Sequence, residues 1–245
     1  MKKKFILFWI VLVIGVLIYG QYGKTKMVNC GLSDIHNVSD IWDLRIKLSS
    51  IMDSETFYKE SDLEEVYNAY LATDYTMVVK ATGNLKLYYR SMNQEVEVIK
   101  VIDNATFDEC SGVNNIAKLD EKIWINSYFG IDFNFPNENE NYKDIYYNQL
   151  SVMPMNEGDT YLVFANDDDL NHIYDKKVYH IQNNFYLEYF NLSSDESFTV
   201  QKDLAELELS DFKGSEFIAN SDSVLEKMEA FKAKIISKLK EHNCL

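Results

Sequence analysis

The first 26 residues set the hydrophobic pattern apart from the rest of the chain. Lys2, Lys3 and Lys4 precede an unbroken apolar run, FILFWIVLVIGVLIYG, and no acid occurs before Asp34. Extended from Phe5 to Tyr22, the run is 18 residues. As a helix it is roughly 27 Å long, close to the hydrocarbon thickness of a bilayer. It has no polar face to present to water. Three lysines lie before it and Lys24 and Lys26 after it, which predicts a cytoplasmic N-terminus and an exported body. A cleaved secretory signal is the alternative, but the run ends VLIYGQYG without an A-x-A site. Cys30 follows Asn29, with Met27 three before it, so a lipidation motif fails. The organisation read here is an anchor or signal segment over 1–26, a stalk over 27–38, and one extracytoplasmic domain over 39–245.

Within the body, helical spacing comes first. Ile41, Leu44, Leu48 and Ile51 predict a helix over 39–52 with Ser39 as its cap. Ser61 and Glu64 form a capping-box pattern ahead of Leu63, Val66, Tyr67, Tyr70 and Leu71. From about residue 74 the period shortens to that of strands. YTMVVKA (75–81) is a strand, with Gly83-Asn84 read as turn material. EVEVIKVID (95–103) alternates at Val96 and Val98, then slips phase to Ile99 and Val101, the pattern a β-bulge leaves. KIWIN (122–126), IYYNQLSV (145–152) and TYLVFA (160–165) follow. VYHI and FYLEYF, between 178 and 190, read as a hairpin around Gln182-Asn183-Asn184. The segments 103–121 and 132–144 are polar and read as long loops.

The C-terminus returns to helical spacing. Ser223 and Glu226 form a capping box, and Val224, Met228, Phe231, Ile235 and Leu239 form one stripe. Lys234, Lys238 and Lys240 complement the end of the helix dipole. The fold class expected is α+β: a small antiparallel OB-like β-barrel (74–200), two N-terminal helices (39–72) and a long C-terminal helix (223–242). One transmembrane or signal helix precedes it.

Composition narrows the partners. Of 24 basic and 39 acidic residues, five lysines and no acid precede residue 27, so the body carries a charge near −20. Such a body repels nucleic-acid phosphates, and no nucleic-acid partner is expected. Only Arg45 and Arg90 are arginines, a bias of low-GC bacterial sequences. Cys30, Cys110 and Cys244 leave at least one thiol unpaired within the chain; Cys30 with Cys244 is a possible disulfide outside the membrane.

Candidate chemistry is sparse. Asp167, Asp169, Asn171 and Asp175 take positions 1, 3, 5 and 9 of a calcium loop, but the sixth and twelfth positions are His172 and Val178, not Gly and Glu. A solvated turn explains them as well. The four histidines, His36, His172, His180 and His242, show no zinc spacing. No nucleophile elbow or phosphate loop occurs, and the S-x-x-K of Ser210 and Lys213 lacks its companion motifs. No catalytic residue and no cofactor are therefore expected. Tyr88, Tyr89, Trp124, Tyr146 and Tyr147 lie on or beside predicted strands. On a barrel face they would stack on sugars or peptides; as ordinary strand formers they would fill a core.

The order YTMVVKATG, EVEVIKVID, KIWIN, NEGDTYLVFAN resembles bacterial extracytoplasmic proteins with an OB-like barrel of the netrin and metalloprotease-inhibitor type. Met155 and Gly158-Asp159-Thr160-Tyr161-Leu162-Val163-Phe164 match the late-strand phrase of that type. The resemblance implies the barrel. It does not carry over the inhibitors' metal-gripping N-terminal cysteine, because Cys30 would need cleavage after Asn29. The function expected is a membrane-anchored extracytoplasmic protein with a non-catalytic interaction or structural role. The bilayer would meet residues 5–22, and a surface protein or glycan would be the partner. The alternative is a secreted module binding glycan or peptide through aromatic barrel residues.

Overall fold

The computed structural model describes residues 2–28, 35–43, 46–48, 57, 62–88, 91–102, 121–128, 130–133, 145–148, 153–167, 178–181, 187–200, 207–241 and 245. Of these, only the backbone is described for 2–8, 23–28, 46–48, 130–133, 145–148 and 167. The chain forms two compact units, Met1–Ile35 and His36–Leu245. The first holds helix α1, Lys2–Val28, which runs through the start of the expected stalk. Its side chains from Trp9 to Tyr22 are all exposed. Among the described residues, no helix is long and apolar enough to cross a membrane.

The second unit is mixed α+β. Its helices are α2 (Val38–Trp42), α3 (Leu63–Leu71) and α4 (Asp222–Glu241). Its strands are β1 (Ile46–Leu48), β2 (Tyr75–Tyr88), β3 (Ser91–Ile102), β4 (Lys122–Tyr128), β5 (Gly130–Phe133), β6 (Ile145–Asn148), β7 (Thr160–Asp167), β8 (Val178–His180), β9 (Tyr189–Asn191), β10 (Phe198–Thr199) and β11 (Ile218–Ala219). The main sheet has six strands in the order β2-β3-β4-β8-β7-β9, and β2 also pairs with β7. The pairings thus run from β2 through β3, β4, β8 and β7 back to β2, with β9 added outside. All are antiparallel except β4 with β8, where Trp124, Ile125 and Asn126 run parallel to Val178, Tyr179 and His180. The expected all-antiparallel arrangement is corrected there.

Two features of β2 and β3 shape this circuit. Val78 pairs with Lys100 but Val79 pairs with Val98, so Ile99 is the extra residue of a bulge. Ile99 is exposed while Val98 and Val101 are buried. This is the phase slip visible in the sequence. A second irregularity lies between Ala81 and Leu85 of β2. Gly83-Asn84 is therefore not the end of the strand, as expected, but a kink inside it. Gly83 takes φ +84°, which only glycine adopts cheaply. A Cβ there would sit 3.0 Å from Cβ, Cγ and Cδ of Glu157. Gly158 also has positive φ but open space around it. Gly83→Ala is expected to cost about 1–3 kcal/mol from backbone strain, and more than Gly158→Ala; urea unfolding of the two variants measures the difference.

Other local expectations shift. The helix over 39–52 ends at Trp42, and Ile46–Leu48 instead pair in parallel with β6. Pairing with a distant strand outweighs a modest helical preference. The cap is Asn37, not Ser39. The Asn37 side chain accepts the Ser39 amide at 2.9 Å, and Asp40 accepts the Asn37 amide at 2.9 Å. The His36 amide, which also donates to Asp40, and that of Asn37 hold the Asp40 carboxyl below its ordinary value. The cap of α3 is Asp62, with no side-chain cap bond; Ser61 lies outside the described residues. Helix α4 begins at Asp222, and Ser221, not Ser223, offers the carbonyl that takes the Val224 and Leu225 amides. Among the described residues, the hairpin expected over 178–190 is not seen. β8 and β9 each pair with β7 and not with each other, because β7 has two stretches of unpaired edge to fill. Loops 103–121 and 132–144 lie outside the described residues except Glu121 and strand β5's Asp132 and Phe133.

Both faces of the main sheet are buried. Met77, Val79, Val96, Val98, Ile123 and Ile125 share one face with Tyr161 and Val163, while Leu162 and Phe164 lie on the other, where Phe164 meets Tyr70 of α3 edge-on. Tyr67 and Tyr70 of α3 belong to the same buried cluster as the α4 stripe, Val224, Met228, Phe231, Ile235 and Leu239. Phe231 stacks on Tyr67 with ring centroids 4.6 Å apart and meets Tyr70 edge-on at 5.2 Å. The buried Tyr70 hydroxyl donates to the Leu187 carbonyl at 2.8 Å and accepts its amide at 3.2 Å. That satisfies a polar atom that burial would otherwise penalise. Gln94 does likewise, accepting the Met155 amide at 2.7 Å and donating to the Tyr189 hydroxyl at 3.3 Å.

Candidate functional site

A cleft of about 610 Å³ opens beside α4, lined by Asp195, Ser197, Glu216, Phe217, Glu229, Lys232, Ala233, Ile236, Ser237 and Lys240. Its chemistry centres on Lys232, on the turn of α4 next to Phe231. The stripe that buries Phe231 and Ile235 carries Lys232 inward with them, to 7% exposure. Its ammonium donates to Asp195 Oδ1 at 2.6 Å and Glu216 Oε2 at 2.7 Å. The Glu216 carboxylate is buried and that of Asp195 is 90% exposed. Glu216 Oε1 also accepts the Asn191 amide at 2.7 Å. Asn191 in turn donates to Asp159 at 3.0 Å and to the Tyr161 hydroxyl at 3.3 Å. A network thus joins α4 to β9 and the turn before β7.

Burial pushes the Glu216 carboxyl up to about 7, against the pull of Lys232 and the Asn191 amide. A carboxyl raised above its unfolded value binds more protons in the folded state between the two values. Its contribution to stability is therefore greatest below about 4.5 and is lost as pH rises through about 7. Glu216→Gln is expected to flatten the fall in stability between those values, read by urea unfolding across pH. The Tyr161 phenol is also pushed up by its burial.

A second polar region lies on the outward side of β2, β3, β4 and β8. Tyr88, Ser91 and Tyr128 are directly opposite one another across three strands. Tyr88 is 45% and Tyr128 40% exposed. Directly paired residues share a face, and two strand spacings set their backbones about 10 Å apart. The next row inward holds Lys86, Asn93, Asn126 and His180. Asn126 donates to Asn93 and meets His180 Nδ1 at 2.9 Å. Trp124 is buried, with the Lys86 ammonium 5.2 Å from its ring centroid.

Of the five aromatic candidates, Tyr88 is exposed and Trp124 buried, two rows apart. Tyr89 lies outside the described residues, and Tyr146 and Tyr147 are described only as backbone in β6. Tyr128, beside Tyr88 in space, was legible only as a residue just past KIWIN. In the calcium pattern, Asp167 ends β7, while Asp169, Asn171 and Asp175 lie outside the described residues. Among the described residues no group of three acids, histidines or cysteines is placed to hold a metal. Cys30, Cys110 and Cys244 also lie outside them. Lys232, Glu216 and Asp195 were not singled out from sequence. The one available signal was a lysine adjoining the apolar stripe of α4.

No family model matches the chain, and no curated protein matches it significantly.

Proposed function

We propose that the chain is a single-pass membrane-anchored extracytoplasmic protein, N-terminus cytoplasmic, with a non-catalytic interaction or structural role. The observation that carries this reading is the surface of α1. From Trp9 to Ile18 every residue except Gly15 is a large apolar side chain, and those from Trp9 to Ile14 and Val16 to Ile18 are 42–65% exposed. A helix apolar on all sides has no stable place in water and calls for an apolar solvent around it. Residues 9–22 alone make about 21 Å of helix, short of a bilayer core. The apolar run from Phe5 supplies the remaining length, and the lysines at 2–4 orient it.

In this reading the exported body is an OB-like barrel. The support is the pairing circuit, five strands returning on themselves with one parallel pair, since closure removes sheet edges. The test is fractionation of cells carrying a C-terminal tag, with protease added to intact protoplasts. Full-length protein in the membrane pellet with the tag removed is the expected result. A tag protected inside the cell, or full-length protein in the cytosol, overturns the reading.

A second reading, a secreted module for glycan or peptide, is favoured by the exposed pair Tyr88 and Tyr128. Two rings on one face offer stacking surfaces for a planar or sugar ligand. A form about 2–3 kDa shorter in the medium, the loss of a signal segment, would select it.

A further inference from the structure

Lys232, Glu216 and Asp195 bring the parts of an acyl transfer into contact. The nucleophile is the Lys232 nitrogen, carried on a buried stem of α4. It lies 2.7 Å from Glu216 Oε2 and 2.6 Å from Asp195 Oδ1. The acyl group is the Glu216 carboxyl, whose side chain is 2% exposed. Its other oxygen, Oε1, accepts the Asn191 amide at 2.7 Å. A backbone N–H thus already points at the atom where negative charge develops when a nucleophile adds to Cδ. Burial raises this carboxyl to about 7, so its neutral acid form, the form open to attack, is well populated at neutral pH. Asp195, with a side chain 90% exposed, is the group that relays a proton. All three residues line the cleft beside α4, which gives a released water a way out.

Two effects favour a bond between the first two groups. Groups held in contact react as though at an effective concentration of about 10⁵ M or more, which offsets the cost of condensing an acid with an amine in water. Two ions buried side by side also carry a desolvation penalty that a neutral group in their place avoids. An amide there keeps both outer contacts. Its oxygen accepts from Asn191 as Oε1 does, and its N–H faces Asp195 as the ammonium does.

We propose that Lys232 Nζ and Glu216 Cδ join in an amide bond within the chain, with release of one water. The Lys232 ammonium gives one proton to Glu216 Oε2, which leaves a neutral amine beside a neutral acid. The nitrogen lone pair adds to Cδ, and the C=O electron pair moves to Oε1 against the Asn191 N–H. Asp195 takes the second proton from the nitrogen and returns it to Oε2, which departs as water while the carbonyl reforms. Nothing is oxidised or reduced. Freshly folded protein carries the ion pair, because its charges must cancel before the nitrogen attacks; the bond accumulates afterwards. The reaction needs no particular cellular compartment.

The test is the intact mass of the full-length protein, denatured, when fresh and after several days at neutral pH. A form lighter by about 18 Da, one water, is expected to grow with time. Tandem mass spectrometry of its peptides should place the amide between Glu216 and Lys232. Lys232→Arg keeps the cation, but a guanidinium does not give up its proton in proteins, so this variant should hold its full mass. Asp195→Asn, changed at an exposed position, should fold normally and lose water about tenfold more slowly or less. A full mass in the incubated protein overturns the proposal. So does a deficit located at other residues, or one that persists in Lys232→Arg.

Discussion

Phe231→Ala is expected to lower the unfolding free energy by about 3–5 kcal/mol, the range for removing a fully buried aromatic ring. Phe231 is 1% exposed at the meeting point of α3, α4 and β9. Its ring stacks on Tyr67, meets Tyr70 edge-on, and lies within 6.3 Å of Phe190 and 6.4 Å of Phe57 by centroid. Two of those neighbours cannot close the gap, because they are held elsewhere. Tyr70 is pinned by two bonds to Leu187, and Phe190 is fixed by the pairing of β9 with β7. Alanine keeps the helical backbone, so the cost lies in cavity and lost contact, not in α4 itself. Chemical denaturation of the variant beside Ala230→Gly, an exposed α4 position, checks the difference. The glycine change should cost only about 1 kcal/mol through helix propensity. An equal loss in both would mean that the ring packs no better than a surface residue.

Lys232→Met is the second large effect, and it depends on pH. Removing one member of a buried ion pair leaves the other uncompensated, at about 3–5 kcal/mol. Here the stranded group is Glu216, buried and tied to the Asn191 amide. A carboxyl without its cation escapes part of that cost by taking a proton. Burial already raises Glu216 to about 7 with Lys232 present, and losing the ammonium removes a factor that lowers it. The penalty should therefore be large at pH 8 and small near pH 5. Glu216→Gln added to Lys232→Met should recover most of the loss at pH 8, since the amide needs no cation. Urea midpoints of the single and double variants at the two pH values decide it. A pH-independent loss in Lys232→Met would mean that stem packing, not charge, holds Lys232 in place. Asp195→Asn should do much less, because its carboxylate is exposed to water.

What was legible in the sequence was local and periodic. The α4 stripe is buried at all five positions named from its spacing. The bulge in β3 sits where Val98 and Ile99 break step, since a period of two records on which residue the pattern slips. What failed depended on distant partners. Residues 46–48 pair with 145–147, nearly a hundred positions away, and nothing in their own spacing announces it. VYHI and FYLEYF are close along the chain, yet each is claimed by β7. Gly83 was read as turn material, but the positive φ that serves a turn also serves a kink within a strand, and Leu85–Tyr88 continuing the pairing beyond it decided for the kink. The cleft was harder still. Lys232 reads as one more lysine of a lysine-rich helix until Glu216 is placed against it from 16 residues upstream.

The carboxylate of Glu216 has one more consequence, for how copies of the chain meet. β9 is the outer strand of the main sheet. Leu192 gives its amide inward to Thr160, so the amide of Asn191 turns away from β7, where another strand would add itself. Glu216 Oε1 occupies that amide at 2.7 Å. A side chain stands in for a neighbouring strand over the length of a single bond. With β9 only three residues long, the outward donor at Asn191 is already spent, and crowded copies have little backbone there to recruit into a shared sheet.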